Sequence, residues 1–334
     1  MRFSKLLSTV DSHTAGEPTR AIIGGIPTLK GKTIAEKMLY MKANFDFIRK
    51  ALMFEPRGHS AMSGAVILEP THSEADVGVI FIEVGGYHPM CGHDTIGVAT
   101  ILIETGMVEV KEPITKIVLE TPAGLVETYV TVKNGKAIDV TFKNIPSFVF
   151  GDNLEIDYKG KIINFSIVYG GNVFAMISAN SVGLEITPEN YVKIVTMGNS
   201  LKDLINKKYQ FIHPEIKFIK EVTHVEFTTP SQSGADAKNA VVFPPGGIDR
   251  SPCGTGTCAK LALLYKQKKL SIGDPFIHES IIGTKFKGRI HEVIDYHGYK
   301  AVIPEITGNA FLTGFHSFVI DPKDSKKHGF LLGV

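Results

Sequence analysis

Two cysteines sit where a thiol can do acid–base chemistry. Cys91 lies in PMCGHDTIGVA (89–99) and Cys253 in SPCGTGTCAK (251–260), each followed by glycine and then by small and apolar residues. They stand 162 positions apart, close to half of the 334-residue chain, and superposing them puts Gly92 on Gly254 and Thr95 on Thr257. A free thiol ionises near pH ~8.5, and a helix N-terminus is among the settings that lower that value. The glycine after each cysteine lets a ligand come close to the backbone, and the free N–H groups of a helix start form a site for a carboxylate. Two such turns could offer two thiols to opposite sides of one small anion. The reaction this suits is removal of a proton from one face of a carbon and return of a proton to the other, since a thiol serves as acid and a thiolate as base.

Other uses of these residues have weaker signals. An isolated cysteine is usually a small buried hydrophobe, the expectation for Cys258 inside the run after the turn. Cys91 and His93 are two apart, and His13, His59 and His88 could add metal ligands, yet no CxxC, HxH or HExxH spacing occurs. Attack of Cys91 or Cys253 on an acyl group would leave the second cysteine turn without a purpose. The GTG at 254–256 lacks both the P-loop and the GxGxxG pattern. A cofactor-free, metal-free site is therefore expected.

Bulk properties narrow the class. The chain is long enough for two ordinary domains. With 36 basic and 34 acidic residues the net charge is +2, which gives no electrostatic reason to expect nucleic acid or an anionic membrane as partner. No run reaches the ~20 apolar residues of a membrane span, and MRFSKLLSTVDSHTAGE reads as mature sequence. Three cysteines are too few for a disulfide framework, so free thiols in a reducing, cytoplasmic compartment are expected.

The elements that must position the thiols follow from periodicity. Strands are expected at 77–84, 115–122, 125–132, 137–142, 163–171, 224–229, 239–244, 276–283 and 310–321. Apolar spacing near 3.6 predicts helices over 33–53 and 191–208. Two more helices, 95–106 and 256–269, should follow the cysteine turns; being apolar nearly all round, they should be buried inside their domains. The same order thus occurs twice, as a duplication of two α+β domains facing each other across a cleft would produce. The crossing point is expected in KNIPSFVFGDN (143–153).

At these residues the sequence resembles the proline racemase family, which includes 4-hydroxyproline 2-epimerases and trans-3-hydroxyproline dehydratases. MCGHDTIG (90–97) and DRSPCGTGT (249–257) match its two signature blocks; SHTAGEPTR (12–20), FEPRGH (54–59), SIIGTKFKG (280–288) and ITGNAFLTGF (306–315) match others, so the likeness runs nearly end to end. It implies a diaminopimelate-epimerase-like α/β (α+β) fold: two similar domains, each a curved, mostly antiparallel sheet around a central helix. The boundaries would be 1–144, completed by 308–334 and carrying Cys91, and 145–307, carrying Cys253. It also implies a homodimer and no cofactor or metal.

Residue by residue, the resemblance makes Cys91 and Cys253 the acid/base pair. Gly92 with His93, and Gly254 with Thr255, become carboxylate and active-site contacts, and Asp249 the partner of the substrate's ring nitrogen. Dehydratases carry threonine at the second cysteine position, so Cys253 implies epimerisation or racemisation. Proline racemases typically have phenylalanine where Ser63 stands and an apolar residue or cysteine at His224, while Phe243 stays aromatic as in them. A serine opens volume and a histidine can meet a ring hydroxyl. The expected activity is epimerisation of trans-4-hydroxy-L-proline to cis-4-hydroxy-D-proline, with proline racemase as alternative, and a dehydratase or a non-catalytic ligand-binding relative further behind.

Overall fold

The computed structural model describes residues 5–332, and the chain divides into two compact units. The first comprises Met1–Phe142 and Gly308–Val334, the second Lys143–Thr307. Among the described residues no helix is long and apolar enough to cross a membrane.

In the first unit β1 (Lys5–Thr14) and β2 (Glu17–Gly24) form a hairpin, followed by α1 (Ile34–Met53). Thr33 caps α1 by accepting from the Glu36 N–H at 3.1 Å. Then come β3 (Ser63–Leu68), β4 (Val77–Glu83), β5 (Gly86–His88), α2 (Gly92–Glu104), β6 (Ile114–Thr121), β7 (Gly124–Lys133) and β8 (Lys136–Lys143). Helix α1 crosses between the parallel strands β2 and β3, and α2 between the parallel pair β4 and β6. VGVIFIE of β4 is buried throughout, whereas β7 alternates buried and half-buried positions, the period-2 pattern of a strand with one covered face.

The second unit repeats this scheme. Its elements are β9 (Phe148–Tyr158), β10 (Lys161–Tyr169), β11 (Val173–Ser178), α3 (Tyr191–Lys208), β12 (His224–Thr229), β13 (Ala237–Phe243), β14 (Gly247–Ile248), α4 (Gly254–Lys266), β15 (Phe276–Glu279), β16 (Lys285–Tyr296) and β17 (Tyr299–Gly308). Helix α3 crosses between the parallel strands β11 and β12, and α4 between the parallel pair β13 and β15. The flanking strand that β9 supplies to β10 is supplied to β1 in the first unit by β18 (Ala310–Ile320), from the far end of the chain.

Both cysteine-turn helices are interior. Gly92–Ile103 of α2 are all buried, with β1, β2, β3, β7 and β18 packed around them; α4 is buried over Gly254–Ala259 and Leu261–Leu263 against β9, β10, β11 and β16. Removing one fully buried branched chain here, as in Ile101→Ala, would destabilise by ~2–5 kcal/mol.

Several boundaries differ from the sequence expectation. Both interior helices begin earlier, at Gly92 and Gly254, because the cysteines themselves are the N-caps. The strand expected over 276–283 stops at Glu279: Ser280 accepts the Gly283 N–H at 3.0 Å and donates to Thr284 at 2.8 Å, closing a turn. Phe148–Tyr158, within and beyond the stretch expected as the crossing point, is strand.

Candidate active site

Cys91 caps α2 with an extended backbone, φ −139° and ψ 119°. The Thr95 N–H bonds the Cys91 carbonyl at 3.1 Å, so the N–H groups of Gly92, His93 and Asp94 precede the helical ladder. Gly97 allows the helix to lie against the first hairpin; a Cβ there would fall 2.7 Å from Thr19 Oγ1. This close seating sets up a row of side chains. Cys91 Sγ is 3.4 Å from His93 Nδ1, and His93 Nε2 is 3.3 Å from Asp94 Oδ1. Thr19 and Ser63 each donate a hydroxyl to Asp94 at 2.7 Å, one to each oxygen.

The electrostatics of this row follow from burial and charge. Burial, with Asp94 adding to it, pushes the Cys91 thiol up to about 12, and His93 opposes the rise. Burial works against a charged imidazole, but Cys91 and Asp94 outweigh it and hold His93 well above the usual value. Burial likewise works against the Asp94 carboxylate, yet His93 and the two hydroxyls keep it below the ordinary carboxyl range. The row therefore runs thiol, imidazole, carboxylate, with a Cys91 thiolate and the Asp94 carboxylate both favouring the protonated ring. Cys91, His93 and Asp94 each offer one ligand atom within 4.8 Å of the others. Both Asp94 oxygens accept hydroxyls, and the row can also carry charge from Asp94 through His93 to the thiol. Of the further histidines considered as ligands, His88 pairs with Glu83 at 2.5 Å, and neither His13 nor His59 joins this group.

In the second unit Cys253 caps α4 in an unusual way. Its backbone lies at φ 59° and ψ 106°, outside the regions an L-residue readily occupies, and such strain concentrates at functional sites. A chain of hydrogen bonds holds it there. Asp249 Oδ1 accepts from the Ser251 N–H at 2.8 Å and hydroxyl at 2.7 Å, and Ser251 Oγ accepts the Cys253 N–H at 3.1 Å. The Gly256 N–H donates to Cys253 Sγ at 3.3 Å, Thr255 Oγ1 lies 3.7 Å from that sulfur, and Asn172 donates to Thr255 at 3.4 Å. Burial, then Asp249 and Glu226, raise the Cys253 thiol well above its ordinary value.

The residues singled out from the sequence therefore fall into groups. Cys91, Gly92, His93 and Ser63 come together in the first unit, and Asp249, Cys253, Gly254 and Thr255 share one turn in the second. His224 opens β12 and Phe243 closes β13, each one step beyond the Val225–Val242 pair. His224 is buried, its Nδ1 2.8 Å from Thr223 Oγ1 and its ring 5.0 Å from that of Phe174. The tip of the Phe243 ring lies against Gly247, where a Cβ would meet its Cζ at 2.3 Å. Ser63 does not simply leave open volume: it is 3% exposed and bonded to Asp94.

Asp94, Thr19 and Glu226 were not identified from the sequence. Asp94 directly follows His93 in the quoted motif. Glu226 is a charged residue inside the strand HVEFTT, and an acid within an apolar alternation is a readable signal.

Comparison with known proteins identifies the family. The family model described as proline racemase matches residues 9–331. A proline racemase of Clostridioides difficile is 47% identical, over 99% of this chain and 100% of its own length. A 4-hydroxyproline 2-epimerase of Streptosporangium roseum is 45% identical, again over 99% of this chain and all of the relative. Among solved structures, a hydroxyproline epimerase from Agrobacterium vitis with bound trans-4-hydroxy-L-proline superposes with a TM-score of 0.95 at 35% identity, covering 99% of this chain and 96% of that one. The diaminopimelate-epimerase-like architecture expected from the sequence is thus the one found.

Proposed function

The chain belongs to the proline racemase family, whose members include the isomerases proline racemase and 4-hydroxyproline 2-epimerase, and from that premise we propose that it epimerises 4-hydroxyproline at the α-carbon with Cys91 and Cys253 as its two acid/base groups. The observation that carries this reading is that each unit caps its interior helix with a cysteine. In one direction the thiolate of one cysteine takes the α-proton, leaving a carbanion, and the thiol of the other delivers a proton to the opposite face. The thiol and thiolate have then exchanged places, and the reverse reaction starts from that form.

Each cysteine's surroundings support the role. Helix-start N–H groups at Gly92–His93 and Gly254–Thr255 suit the substrate carboxylate, and they stabilise the enolate-like charge that builds as the α-proton leaves. Asp249, fixed by Ser251, supplies the acceptor for the ring ammonium. Cys91 and Asp94 on either side raise His93 well above its usual value, and a proton on that ring favours the thiolate of Cys91 when that cysteine is the base. No step calls on a cofactor, and the same reading carries a homodimer, which light scattering of the purified protein checks.

His224 is the residue that favours the hydroxylated ring, since a buried imidazole can bond a ring hydroxyl that proline lacks. Proline is the second reading, favoured by the aromatic Phe243 and the 47% identity to a proline racemase. The deciding experiment incubates the protein in D2O with each free L- and D-isomer of proline and hydroxyproline. α-Deuterium incorporation with a matching change in optical rotation is expected for trans-4-hydroxy-L-proline. An unlabelled α-carbon in every isomer would overturn the epimerase reading.

A further inference from the structure

Glu226 lies in the middle of the second unit's interior, fully buried at the third position of β12, where the Asn239 side chain of β13 makes a weak polar contact with its carboxyl. What lets it sit there is Gly256, the third residue of α4. A Cβ on Gly256 would fall 2.6 Å from Glu226 Oε2 and 3.2 Å from Cys253 Sγ, so the carboxyl and the sulfur border the same methyl-sized space. The first unit has Asp94 at the matching position of α2, three residues after its cysteine. Both units thus place one carboxyl beside the first turn of the cysteine helix, from the helix itself in one and from a strand in the other. Their settings are opposite. Asp94 sits against the His93 imidazole and accepts two hydroxyls, whereas Glu226 has His278 Nε2 3.7 Å from its Oε1, the Asn239 side chain and the Lys260 charge, and no hydroxyl.

We propose that Glu226 is a positioning residue that gates the charge of Cys253: as the neutral acid it allows the sulfur to ionise, and as the carboxylate it holds the sulfur as a thiol. Two acids sharing one dry site cannot both carry charge without strong mutual repulsion, so their protons leave in coupled steps. The groups facing Glu226 are Cys253 and Lys260 on α4, His278 on β15 and Asp249 before the cysteine turn. Burial pushes Glu226 up to about 8, with Lys260 and the Asn239 side chain opposing and Asp249 adding to the rise. Burial, then Lys260, keep His278 neutral by lowering it well below the usual imidazole value, so it contributes no compensating charge. Lys260, itself lowered by burial, donates to Thr228 Oγ1 at 3.3 Å.

The proposal rests on the reading of Cys253 as a working thiol, and its test measures that sulfur without turnover, so absence of epimerase activity and absence of gating are separate results. The test is the rate of iodoacetamide alkylation at Cys253 against pH, read by peptide mass spectrometry in wild type and Glu226→Gln, with Cys91 in the same sample as internal reference. Removing the second acid should move the Cys253 titration down by about half a pH unit or more, so that alkylation below it runs about threefold faster or more, while Cys91 is unchanged. An unmoved or upward-shifted Cys253 titration, or an equal shift at both cysteines, overturns the proposal. Where Glu226→Gln yields no folded protein, Gly256→Ala serves instead: its methyl displaces the carboxyl, and the same downward shift is expected or the proposal fails.

Discussion

Ser63 donates its hydroxyl to Asp94 at 2.7 Å, which ties a strand residue to the row that ends on Cys91. Ser63→Ala should leave Asp94 with Thr19 as its sole hydroxyl donor and weaken its hold on His93. A buried hydrogen bond of this kind contributes ~1 kcal/mol, so the urea midpoint should fall by the equivalent amount at an unchanged m-value. If His93 assists Cys91, kcat should fall by about fivefold with KM nearly constant. A variant with lower stability and full kcat would assign the pair a structural role only.

The cysteines themselves give the sharpest mutational contrast. Cys91→Ser and Cys253→Ser should each abolish net epimerisation, because a hydroxyl is far too weak an acid to form the needed base near neutral pH. Either variant, with one thiol left, should still exchange the α-proton of one stereoisomer slowly with solvent. Cys258→Ser should keep full activity, since that thiol lies within α4 and is held up by burial. Epimerisation by Cys253→Ser at a rate near wild type would refute the two-thiol mechanism.

How far the sequence carried this picture depends on the kind of signal. The helices after Cys91 and Cys253 were legible because their apolar residues leave no polar face, and a helix without one must be interior. The helix starts were not, because capping by cysteine is rare and Gly92 and Gly254 look like turn residues. Glu226 stands out in the sequence as an acid within an apolar strand and Asp94 does not, but only the packing of Gly97 on Thr19, and of Gly256 on Glu226, shows why each is tolerated inside. The roles of Ser63 and His224 were the least legible. Side-chain hydrogen bonds, to Asp94 in one case and Thr223 in the other, decide what each can offer a ligand, and no periodicity encodes those.

A pH dependence of stability unrelated to the thiols should come from His213. It is 1% exposed, its Nδ1 accepts from the Ile216 N–H at 3.0 Å, and its ring stands 4.5 Å from that of Tyr169. Burial lowers it from the ordinary 6.5 to about 4, with the Glu215 carboxylate opposing. A base whose folded value is depressed binds its proton more weakly folded than unfolded. Its contribution is therefore present above pH 6.5 and lost as the pH falls toward 4. After allowance for screening the loss should be on the order of 2 kcal/mol. Urea midpoints of wild type and His213→Asn at pH 7 and pH 4.5 measure it, the asparagine keeping an acceptor near the Nδ1 position. Equal pH dependence in the two proteins would remove His213 from the explanation.

Chelation separates the relay from a metal centre. With both Asp94 oxygens accepting hydroxyls, exhaustive dialysis against EDTA should leave the epimerisation rate unchanged. Alkylating the cysteines should instead inactivate the protein, and substrate should protect it. Activity lost in chelator and regained with zinc would make Cys91, His93 and Asp94 ligands after all.

The choice of ring turns on His224 more than on Ser63. Both positions depart from the residues typical of proline racemases, but their hydrogen bonds differ in consequence. The Ser63 hydroxyl is committed to Asp94, so Ser63→Phe would remove that bond and overfill a site that is 3% exposed. Its main effect should be a lower kcat for every substrate. The His224 ring is anchored through Nδ1 on Thr223 and stacked at a tilt on Phe174, which fixes its plane and direction. A polar group held this way discriminates against an analogue that lacks the matching hydroxyl, because binding that analogue leaves the group without its partner. We therefore expect kcat/KM for trans-4-hydroxy-L-proline to exceed that for L-proline, and His224→Leu to narrow or reverse the ratio by itself. Adding Ser63→Phe should lower both values without restoring the preference. A wild-type protein that turns over L-proline with the higher kcat/KM would make it a proline racemase, with His224 an ordinary buried strand residue.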